Sequence, residues 1–325
     1  MLKDIYGRSI SYLRVSLTER CNLKCGYCYG NAANCIESKE SLSSRFILKI
    51  IHAFSRLGVD KIRFTGGEPL LREDLAEIIE ETSHIGKFGI IGLTTNGVSL
   101  APKLDRLVAA GLNRLNISLD SLDRKTYAAI SGRDCLASVL TAINQALTYD
   151  EFGYVKINVV VMKGVNDNEA PIFAEWALEK NIDLRFIEFM PAYKSGWSED
   201  LFVGEEEIKA LIGLDLIPVP TEKSRSGPAR SFRYRDFPGK ISFVSAVSRG
   251  FCGNCNRLRL TSNGELIGCL FDRRSVNLMS HIRESDSVEE IAARLRDIFD
   301  QKLYRKSPEI NIADGCGTAM RGIGG

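Results

Sequence analysis

Strand-like and helix-like segments alternate along the first 190 residues of this 325-residue chain. Candidate strands cover 12–18, 61–65, 89–95, 113–119, 155–162 and 183–189. Amphipathic segments with helical spacing lie between them, at 43–57, 72–83, 101–110, 136–149 and 168–180. Strands separated by helices pair in parallel as βαβ units. The pattern predicts an α/β fold, a partial (β/α)6 TIM-like barrel, with its functional site at the carboxyl ends of the strands.

The pattern changes after about residue 190, where proline, glycine and serine become frequent. Strands are predicted at 241–247 and within 256–271, and a helix at 287–302. We therefore predict two domains, residues 1–190 for the partial barrel and residues 191–325 for an irregular, β-containing subdomain.

Composition restricts the compartment and the partners. The net charge of +2 gives no bulk attraction to nucleic acid or to a membrane surface, and 44% hydrophobic residues support a large core. No apolar run approaches the roughly 20 residues of a membrane span, and the amino terminus does not resemble a signal peptide. Nine cysteines in such a chain are typical of an intracellular metalloprotein. We expect a cytoplasmic protein.

Three closely spaced cysteines, Cys21, Cys25 and Cys28, follow the first predicted strand. Thiolates are the usual ligands of a [4Fe–4S] cluster, and three of them leave one of its four irons open for a substrate or cosubstrate. A structural zinc site would need a fourth ligand, for which the irregularly placed Cys35 is the nearest thiol. The spacing favours a cluster that takes part in chemistry.

This Cys-x3-Cys-x2-Cys run, with Tyr27 before its last cysteine, resembles the signature of the radical S-adenosylmethionine (SAM) enzymes. In that superfamily the amino and carboxylate groups of SAM occupy the open iron. Reduction of the sulfonium then releases a 5′-deoxyadenosyl radical, which takes a hydrogen atom from the substrate. The resemblance implies that Tyr27 lies at the SAM site.

The segment from Thr65 to Leu70 follows the second predicted strand and contains two glycines before Glu68. Alone it is compatible with an ordinary βα turn, since glycine also serves there. After the cysteine run it resembles the GGEP motif, which holds the SAM amino group in this superfamily. By the same resemblance, SAM contacts are expected at Gly67, Glu68, Thr94 and Ser118.

Basic side chains share one face of several predicted strands. Because side chains alternate across a strand, these cations lie opposite the apolar residues that fit under the outer helices. They are Arg14, Lys61, Arg63, Lys156 and Arg185. Cations that converge on a barrel interior require partners, and a triphosphate is a suitable one. Internal ion pairing is the alternative.

A second cysteine set, Cys252, Cys255 and Cys269, lies in the carboxyl-terminal region. Asn263-Gly264 predicts a hairpin that returns Cys269 towards the other two thiols. Arg257 and Arg259 share one face of its outgoing strand. The set predicts a second three-thiolate site beside two arginines; a zinc ribbon with Cys316 as fourth ligand is the alternative.

This set, within Cys-x2-Cys-Asn-Arg-Leu-Arg-Leu-Thr, resembles the GTP 3′,8-cyclase family of radical SAM lyases (molybdenum cofactor biosynthesis protein A), which catalyses the first step of molybdenum cofactor biosynthesis. The ending Met320 to Gly325 is similar to the double-glycine tail that reaches the active site in that family. The chain differs after Cys28, where Tyr29-Gly30 replaces the common Met-Pro.

The family resemblance implies two [4Fe–4S] clusters with SAM as cosubstrate, the second cluster offering an open iron to the guanine base. The radical would take hydrogen from C3′ of GTP, and C3′ would then bond to C8 to give a cyclic dihydro-GTP. Arg257 and Arg259 would act as catalytic residues. The implied GTP-facing positions are Arg14, Lys61, Arg63, Lys156, Arg185, Arg257 and Arg259.

The implied partners are GTP, a reductant such as flavodoxin or ferredoxin, and the downstream cyclic pyranopterin monophosphate synthase. A homodimer is allowed, whereas nucleic-acid and membrane partners are not expected. Cys35, Cys135 and Cys316 are interpreted as thiols outside the clusters. Two alternative functions stay open. One is a peptide-modifying radical SAM enzyme with an auxiliary cluster, and the other is a non-enzymatic iron–sulfur or zinc protein.

Overall fold

The computed structural model describes residues 1–4, 7–29, 41–191, 195–220, 229–249, 255–271 and 274–301. The strands are β1 Leu2–Lys3, β2 Ser9–Ile10, β3 Tyr12–Ser16, β4 Lys61–Thr65, β5 Ile90–Thr95, β6 Arg114–Ser118, β7 Lys156–Val161, β8 Asp183–Glu188, β9 Ile217–Pro218, β10 Arg230–Arg233, β11 Ile241–Val244, β12 Arg257–Leu260, β13 Glu265–Ile267 and β14 Val276–Asn277. The α-helices are α1 Gly26–Tyr29, α2 Ser44–Arg56, α3 Leu75–His84, α4 Leu104–Ala109, α5 Arg124–Ser131, α6 Leu136–Ala146, α7 Ala170–Lys180, α8 Glu205–Ile212 and α9 Val288–Gln301.

One sheet of twelve strands organises the described residues, in the order β14-β13-β12-β3-β4-β5-β6-β7-β8-β11-β10-β9. Strands β12, β3 to β8 and β11 run parallel, and antiparallel strands extend both edges. The fold is therefore α/β with a mostly open sheet. Strands β11 and β12, which follow residue 190, extend the parallel sheet on opposite sides of the six predicted strands.

Helix α2 shows how the sequence builds one layer around this sheet. The Ser43 side chain caps its amino end by accepting a hydrogen bond of 3.1 Å from the Phe46 amide. Apolar residues at helical spacing form its buried face, and they are Phe46, Ile47, Ile50, Ile51 and Phe54. Helix α9 packs against α2, so the carboxyl-terminal region covers the first βα unit.

The six predicted strands are confirmed with small shifts at their ends. Two predicted helices begin three residues later than expected. Helix α3 begins at Leu75 rather than 72 because a 3-10 turn, Pro69–Leu71, precedes it, and α4 follows a 3-10 turn at Ala101–Lys103. The prediction missed α5 and α8, two helices of eight residues each. Within the described ranges, no helix is long and apolar enough to cross a membrane.

Candidate active site

A cavity of about 210 Å³ lies at the carboxyl ends of the parallel strands, where the fold predicts the site. Predicted metal and SAM residues in its wall are Cys21, Cys25, Tyr27, Cys28, Gly67, Thr94 and Ser118. Predicted nucleotide residues in its wall are Arg14, Arg185, Arg257 and Arg259. Glu68, Lys61, Arg63 and Lys156 are not among its lining residues. The tertiary structure thus gathers most of both predicted sets around one space.

The first cysteine loop presents its thiols to this cavity through a short helical turn. The Cys28 amide donates to the Cys25 carbonyl at 2.9 Å, and the Cys21 thiol accepts from Leu23 N at 3.5 Å. Burial raises the pKa of Cys21 and raises that of Cys25 well above its usual value, with nearby Asp120 adding to the latter effect. Such thiols ionise on binding a metal rather than in its absence.

The three thiols are not arranged as ligands of a single ion. Within the described ranges, no three Cys, His, Asp or Glu side chains form a group that could hold one metal ion. Thiolates that hold a cluster bind different irons and so do not have to converge on one point. Three thiols that line one cavity are compatible with a cluster.

Asn96 connects the cysteine loop to the turn after β4. Its side-chain amide lies 3.8 Å from the Cys21 sulfur and donates to Asn22 at 2.8 Å, while its backbone amide donates to Glu68 Oε2 at 2.7 Å. Hydrogen bonds to ligand sulfurs are among the features that set cluster potentials. Asn96 therefore contacts both the cysteine loop and the turn after β4.

Glu68 is fully buried and holds its own turn together. Its Oε1 accepts from the Leu70 amide at 3.0 Å and from the Thr95 hydroxyl at 2.7 Å. Burial raises the pKa of Glu68 to about 7, although these hydrogen bonds oppose the shift. The structure thus shows Glu68 shaping the loop, and its contact with SAM stays a prediction.

Gly67 lets the same turn approach the cysteine loop closely. A Cβ built at Gly67 would lie 2.3 Å from the Arg20 carbonyl oxygen and 2.6 Å from that of Glu19. The Gly67 amide also donates to the Thr18 carbonyl at 2.6 Å. Only glycine fits this backbone-to-backbone approach.

Four arginines, Arg14, Arg185, Arg257 and Arg259, also line the cavity. Register places Arg259 beside Arg14, and Arg14 beside Arg63, across β12, β3 and β4. Burial lowers the pKa of Arg14 to about 9 and that of Arg185 to about 10, and neighbouring cations contribute to both shifts. A cluster of like charges in a buried position favours an anionic ligand.

Arg63, Lys61 and Tyr12 form a layer next to these arginines. Arg63 donates from Nε to the Tyr12 hydroxyl at 2.9 Å and from a terminal nitrogen to the Leu93 carbonyl at 2.8 Å. Lys61 Nζ lies 4.5 Å from the centroid of the Tyr12 ring. Gly92 provides the space for Arg63, because a Cβ there would lie 2.7 Å from Arg63 Cζ. These two cations are held by the protein itself.

Lys156 forms an ion pair within the protein, which is the alternative to a contact with a triphosphate. Its ammonium lies 3.2 Å from Asp183 Oδ2. Burial lowers the pKa of Lys156 to about 8, with Arg185 adding to the decrease and Asp183 opposing it. Its role towards a nucleotide remains a prediction.

The second cysteine set is described in part, because Cys252 lies outside the described residues, as do Cys35, Cys316 and the 320–325 tail. The predicted hairpin is confirmed by β12 and β13, with Gly264 at a φ of 87° in its turn. Arg257 Nε donates to the Cys255 sulfur at 3.4 Å. Burial lowers the pKa of Arg257, but the charge of Cys255 and its hydrogen bond with Arg257, together with the charges of Tyr12 and Cys269, outweigh burial and raise it. Arg257 thus contacts one thiol of the second set directly.

Sequence reasoning missed Tyr12, and it placed Asp120 and Asn96 among the polar groups at strand ends without naming them as site residues. Tyr12 stands two residues before Arg14, so strand alternation alone places it on the basic face. Asp120 accepts from the Tyr27 hydroxyl at 2.7 Å, a contact across 93 residues that no local pattern predicts. Cys135, expected to lie outside the clusters, contacts Tyr127 at 3.5 Å and does not line the cavity.

Two family models match the chain. The model described as "Radical SAM superfamily" covers residues 15–177, and the one described as "Molybdenum Cofactor Synthesis C" covers residues 182–311. The first covers the end of β3, the first cysteine loop and β4 to β7. The second covers β8, β11, β12 and the hairpin.

Curated relatives match most of the chain. A GTP 3′,8-cyclase of Thermodesulfovibrio yellowstonii is 41% identical over 89% of this chain and 91% of that protein. Human molybdenum cofactor biosynthesis protein 1 is 40% identical over 89% of this chain but 46% of its own length. SuiB of Streptococcus suis, solved with S-adenosylmethionine, shares the fold with a TM-score of 0.65 at 16% identity, over 91% of this chain and 67% of that chain. This chain belongs to the GTP 3′,8-cyclase family of radical SAM enzymes.

Proposed function

We propose that this chain converts GTP to a 3′,8-cyclised dihydro-GTP in molybdenum cofactor biosynthesis, with SAM as cosubstrate. The observation that carries the proposal is a single cavity lined both by the three thiols of the first cysteine run and by four arginines. In this proposal β3 to β8 form the partial TIM-like barrel of residues 1–190. Residues 191–325 form the subdomain that carries the second cluster and adds strands to both sides of the sheet.

The residues near the first thiols fit a cluster with SAM bound to it. Cys21, Cys25 and Cys28 would hold the cluster, and the glycine turn at Gly66 and Gly67 brings backbone to the cavity wall without side chains. The Thr94 hydroxyl and Asn158 Oδ1 are buried at this wall and have no hydrogen-bond partner among the described residues. Buried polar atoms need partners, and the hydroxyls of a ribose supply them.

The arginine wall fits a triphosphate. Arg185 Nε is buried without a hydrogen-bond partner in the described part of the chain, and it lies on the strand beside Asn158. Guanidinium groups bind phosphate oxygens in paired hydrogen bonds, which lysine does not offer. Arg14, Arg185, Arg257 and Arg259 would hold the nucleotide, while Lys61, Arg63 and Lys156 support the same region from behind.

We propose that Cys252, Cys255 and Cys269 hold a second [4Fe–4S] cluster that accepts the guanine base. Support comes from the position of Arg257, which contacts Cys255 and lines the cavity. One residue thereby connects the second thiol set with the space for the nucleotide. A base bound there would keep C8 and C3′ of one GTP molecule within the same cavity.

When bound, the first cluster and SAM would supply the 5′-deoxyadenosyl radical chemistry needed to take hydrogen from C3′ of GTP. The protein's own contribution is position: the arginines fix the triphosphate, and the second site fixes the base. Holding reactants in a reactive geometry is worth up to about 7–11 kcal/mol of activation free energy. Arg257 and Arg259, buried beside the nucleotide, would assist ring closure by orienting it.

The test is an anaerobic assay of the reconstituted protein with SAM and a strong reductant. We expect 5′-deoxyadenosine formation to increase strongly on addition of GTP and a cyclised nucleotide to appear. Cys21→Ser should abolish 5′-deoxyadenosine formation, whereas the matched variant Cys135→Ser, outside the cavity, should retain it. SAM cleavage that ignores GTP would reject the substrate, and cleavage by Cys21→Ser would reject the first site.

The remaining partners are proposals of the same kind. A flavodoxin or ferredoxin would supply the electron, and a cyclic pyranopterin monophosphate synthase would take the product. A homodimer and a cytoplasmic location complete the proposal.

A further inference from the structure

Asn96 follows directly after β5 and lines the cavity, but it has no part in the function proposed above. Its Oδ1 accepts from the Val98 amide at 3.0 Å, a contact that the oxygen of an amide side chain can make and its nitrogen cannot. Its Nδ2 is thereby turned to the cysteine loop, where it donates to Asn22 Oδ1 at 2.8 Å and to the Cys21 sulfur at 3.8 Å. The Val98 contact therefore fixes which end of the side chain faces the sulfur.

The backbone of Asn96 is held as well. Its amide donates to Glu68 Oε2 at 2.7 Å, and Glu68 is fully buried in the turn after β4. The next residue, Gly97, has a φ of 78°, and its amide donates to the Thr95 hydroxyl at 3.0 Å. A side chain that is already ordered loses little further freedom when it donates a hydrogen bond. The N–H group of Asn96 therefore keeps its direction towards Cys21.

The Cys21 sulfur accepts from two N–H groups, the Leu23 amide at 3.5 Å and Asn96 Nδ2 at 3.8 Å. The first donor belongs to the cysteine loop itself, whereas the second lies 75 positions further along the chain. A thiolate ligand carries part of the negative charge of an iron–sulfur cluster, and an N–H group directed at it stabilises that charge. Because reduction adds an electron, the same N–H group stabilises the reduced cluster more than the oxidised one.

We propose that Asn96 is a positioning residue for the first cluster, and that its side-chain amide raises the reduction potential of the cluster held by Cys21. The proposal rests on the proposed function, since it requires a cluster on the first cysteine run. The added electron comes from the external reductant, and Asn96 neither gains nor loses a proton or an electron. It acts only through the sulfur to which its N–H group points.

Two substitutions separate the hydrogen bond from the shape of the side chain. Asn96→Asp has nearly the same shape and keeps an oxygen for the Val98 amide, but it directs a carboxylate oxygen at the sulfur in place of the N–H group. Asn96→Ala removes the donor without adding charge. Asn113→Asp is the matched control, because Asn113 Oδ1 accepts from the Ile91 amide at 3.0 Å near the opposite end of β5 and Asn113 does not line the cavity.

The experiment is a reductive titration of the reconstituted protein without SAM, followed by electron paramagnetic resonance. The signal of the first cluster is the one that Cys21→Ser lacks. We expect Asn96→Ala to lower the equilibrium constant for reduction about three- to tenfold, a shift of about 30–60 mV for a one-electron couple. Asn96→Asp should lower it further, and Asn113→Asp should keep the wild-type potential. A side chain that only shaped the loop would change the iron content of the variants without this order of potentials.

A second measurement does not depend on assembly of a cluster in the variants. Pulsed electron paramagnetic resonance of the reduced wild type, labelled with ¹⁵N in its asparagine side chains, should show a weak nitrogen coupling. Asn22→Ala, which removes the other asparagine side chain of this contact, should retain the coupling, and Asn96→Ala should lack it.

Absence of the coupling from the wild type would overturn the inference. Equal potentials in the wild type, Asn96→Ala and Asn96→Asp would overturn it too, as would an equal shift in Asn113→Asp. Each of these results leaves the proposed function intact. A wild type without a signal that depends on Cys21 would instead reject the first site, and with it both the proposed function and this inference.

Discussion

Tyr27 and Asp120 are joined by a hydrogen bond of 2.7 Å between side chains that lie 93 residues apart. The second carboxylate oxygen of Asp120 accepts from the Val160 amide at 2.9 Å. The carboxylate therefore fixes the cysteine loop, through its tyrosine, to the end of β7. Burial raises the pKa of Asp120 to about 6, although the hydrogen bonds from Tyr27 and Val160 oppose the shift.

Removing this anchor should weaken SAM binding. Asp120→Ala leaves the Tyr27 hydroxyl and the Val160 amide without their acceptor, which costs about 1–3 kcal/mol for each group left buried and unpaired. We expect SAM affinity to fall about tenfold or more, measured by equilibrium binding to the reconstituted protein. Tyr27→Phe should reproduce much of the loss. If the two effects simply add in the double variant, the pair does not act as a unit.

Gly92→Ala should displace Arg63 without changing a residue that lines the cavity. The new methyl group would lie 2.7 Å from Arg63 Cζ and force the guanidinium from Tyr12 and Leu93. We expect a loss of about 1–3 kcal/mol in the free energy of unfolding together with weaker GTP binding. Gly89→Ala, whose methyl group meets nothing within 4 Å, is the control. Equal GTP affinity in both variants would contradict the role of Arg63.

Gly67→Ala should be more severe, because its methyl group meets backbone atoms of Arg20 and Glu19 instead of a mobile side chain. We expect a thermal unfolding midpoint several degrees lower and loss of SAM binding. Gly26→Ala, in the same cysteine loop but with no atom within 4 Å of its new methyl group, should keep the unfolding midpoint. A stable Gly67→Ala protein that binds SAM normally would show that the turn can move.

Arg257→Ala should lose cyclised product while retaining iron at both sites. The thiolates would hold the metal, whereas Arg257 lines the cavity and donates a hydrogen bond to the Cys255 sulfur. Removing a charge-assisted contact to phosphate costs about 1.5–3 kcal/mol, so GTP affinity should fall by about ten- to a hundredfold. Iron content and product yield measure the two effects. Arg233→Ala, at an exposed position on β10, is the control, and normal turnover by Arg257→Ala would reject the assignment.

Local sequence patterns were sufficient to predict the strands and the hairpin that carry the candidate site. The strand and helix periods predicted β3 to β8, and Asn263-Gly264 predicted the β12–β13 hairpin, because turn chemistry and side-chain alternation act over a few residues. The alternation also placed Arg14 and Arg185 on the face that lines the cavity. It did not distinguish them from Lys61 and Arg63 on the same face.

Only the tertiary structure separates the cations that line the cavity from those that are paired within the protein. Arg63 turns to Tyr12 because Gly92 on the next strand leaves space for it, and Lys156 turns to Asp183 because β8 lies beside β7. The sequence by itself determined the alternating βα elements, the thiol spacing and the basic strand faces, which depend on near neighbours in the chain. The tertiary structure decided which cations face the cavity and which are paired by the protein, since strand order and register bring together groups that are distant in sequence.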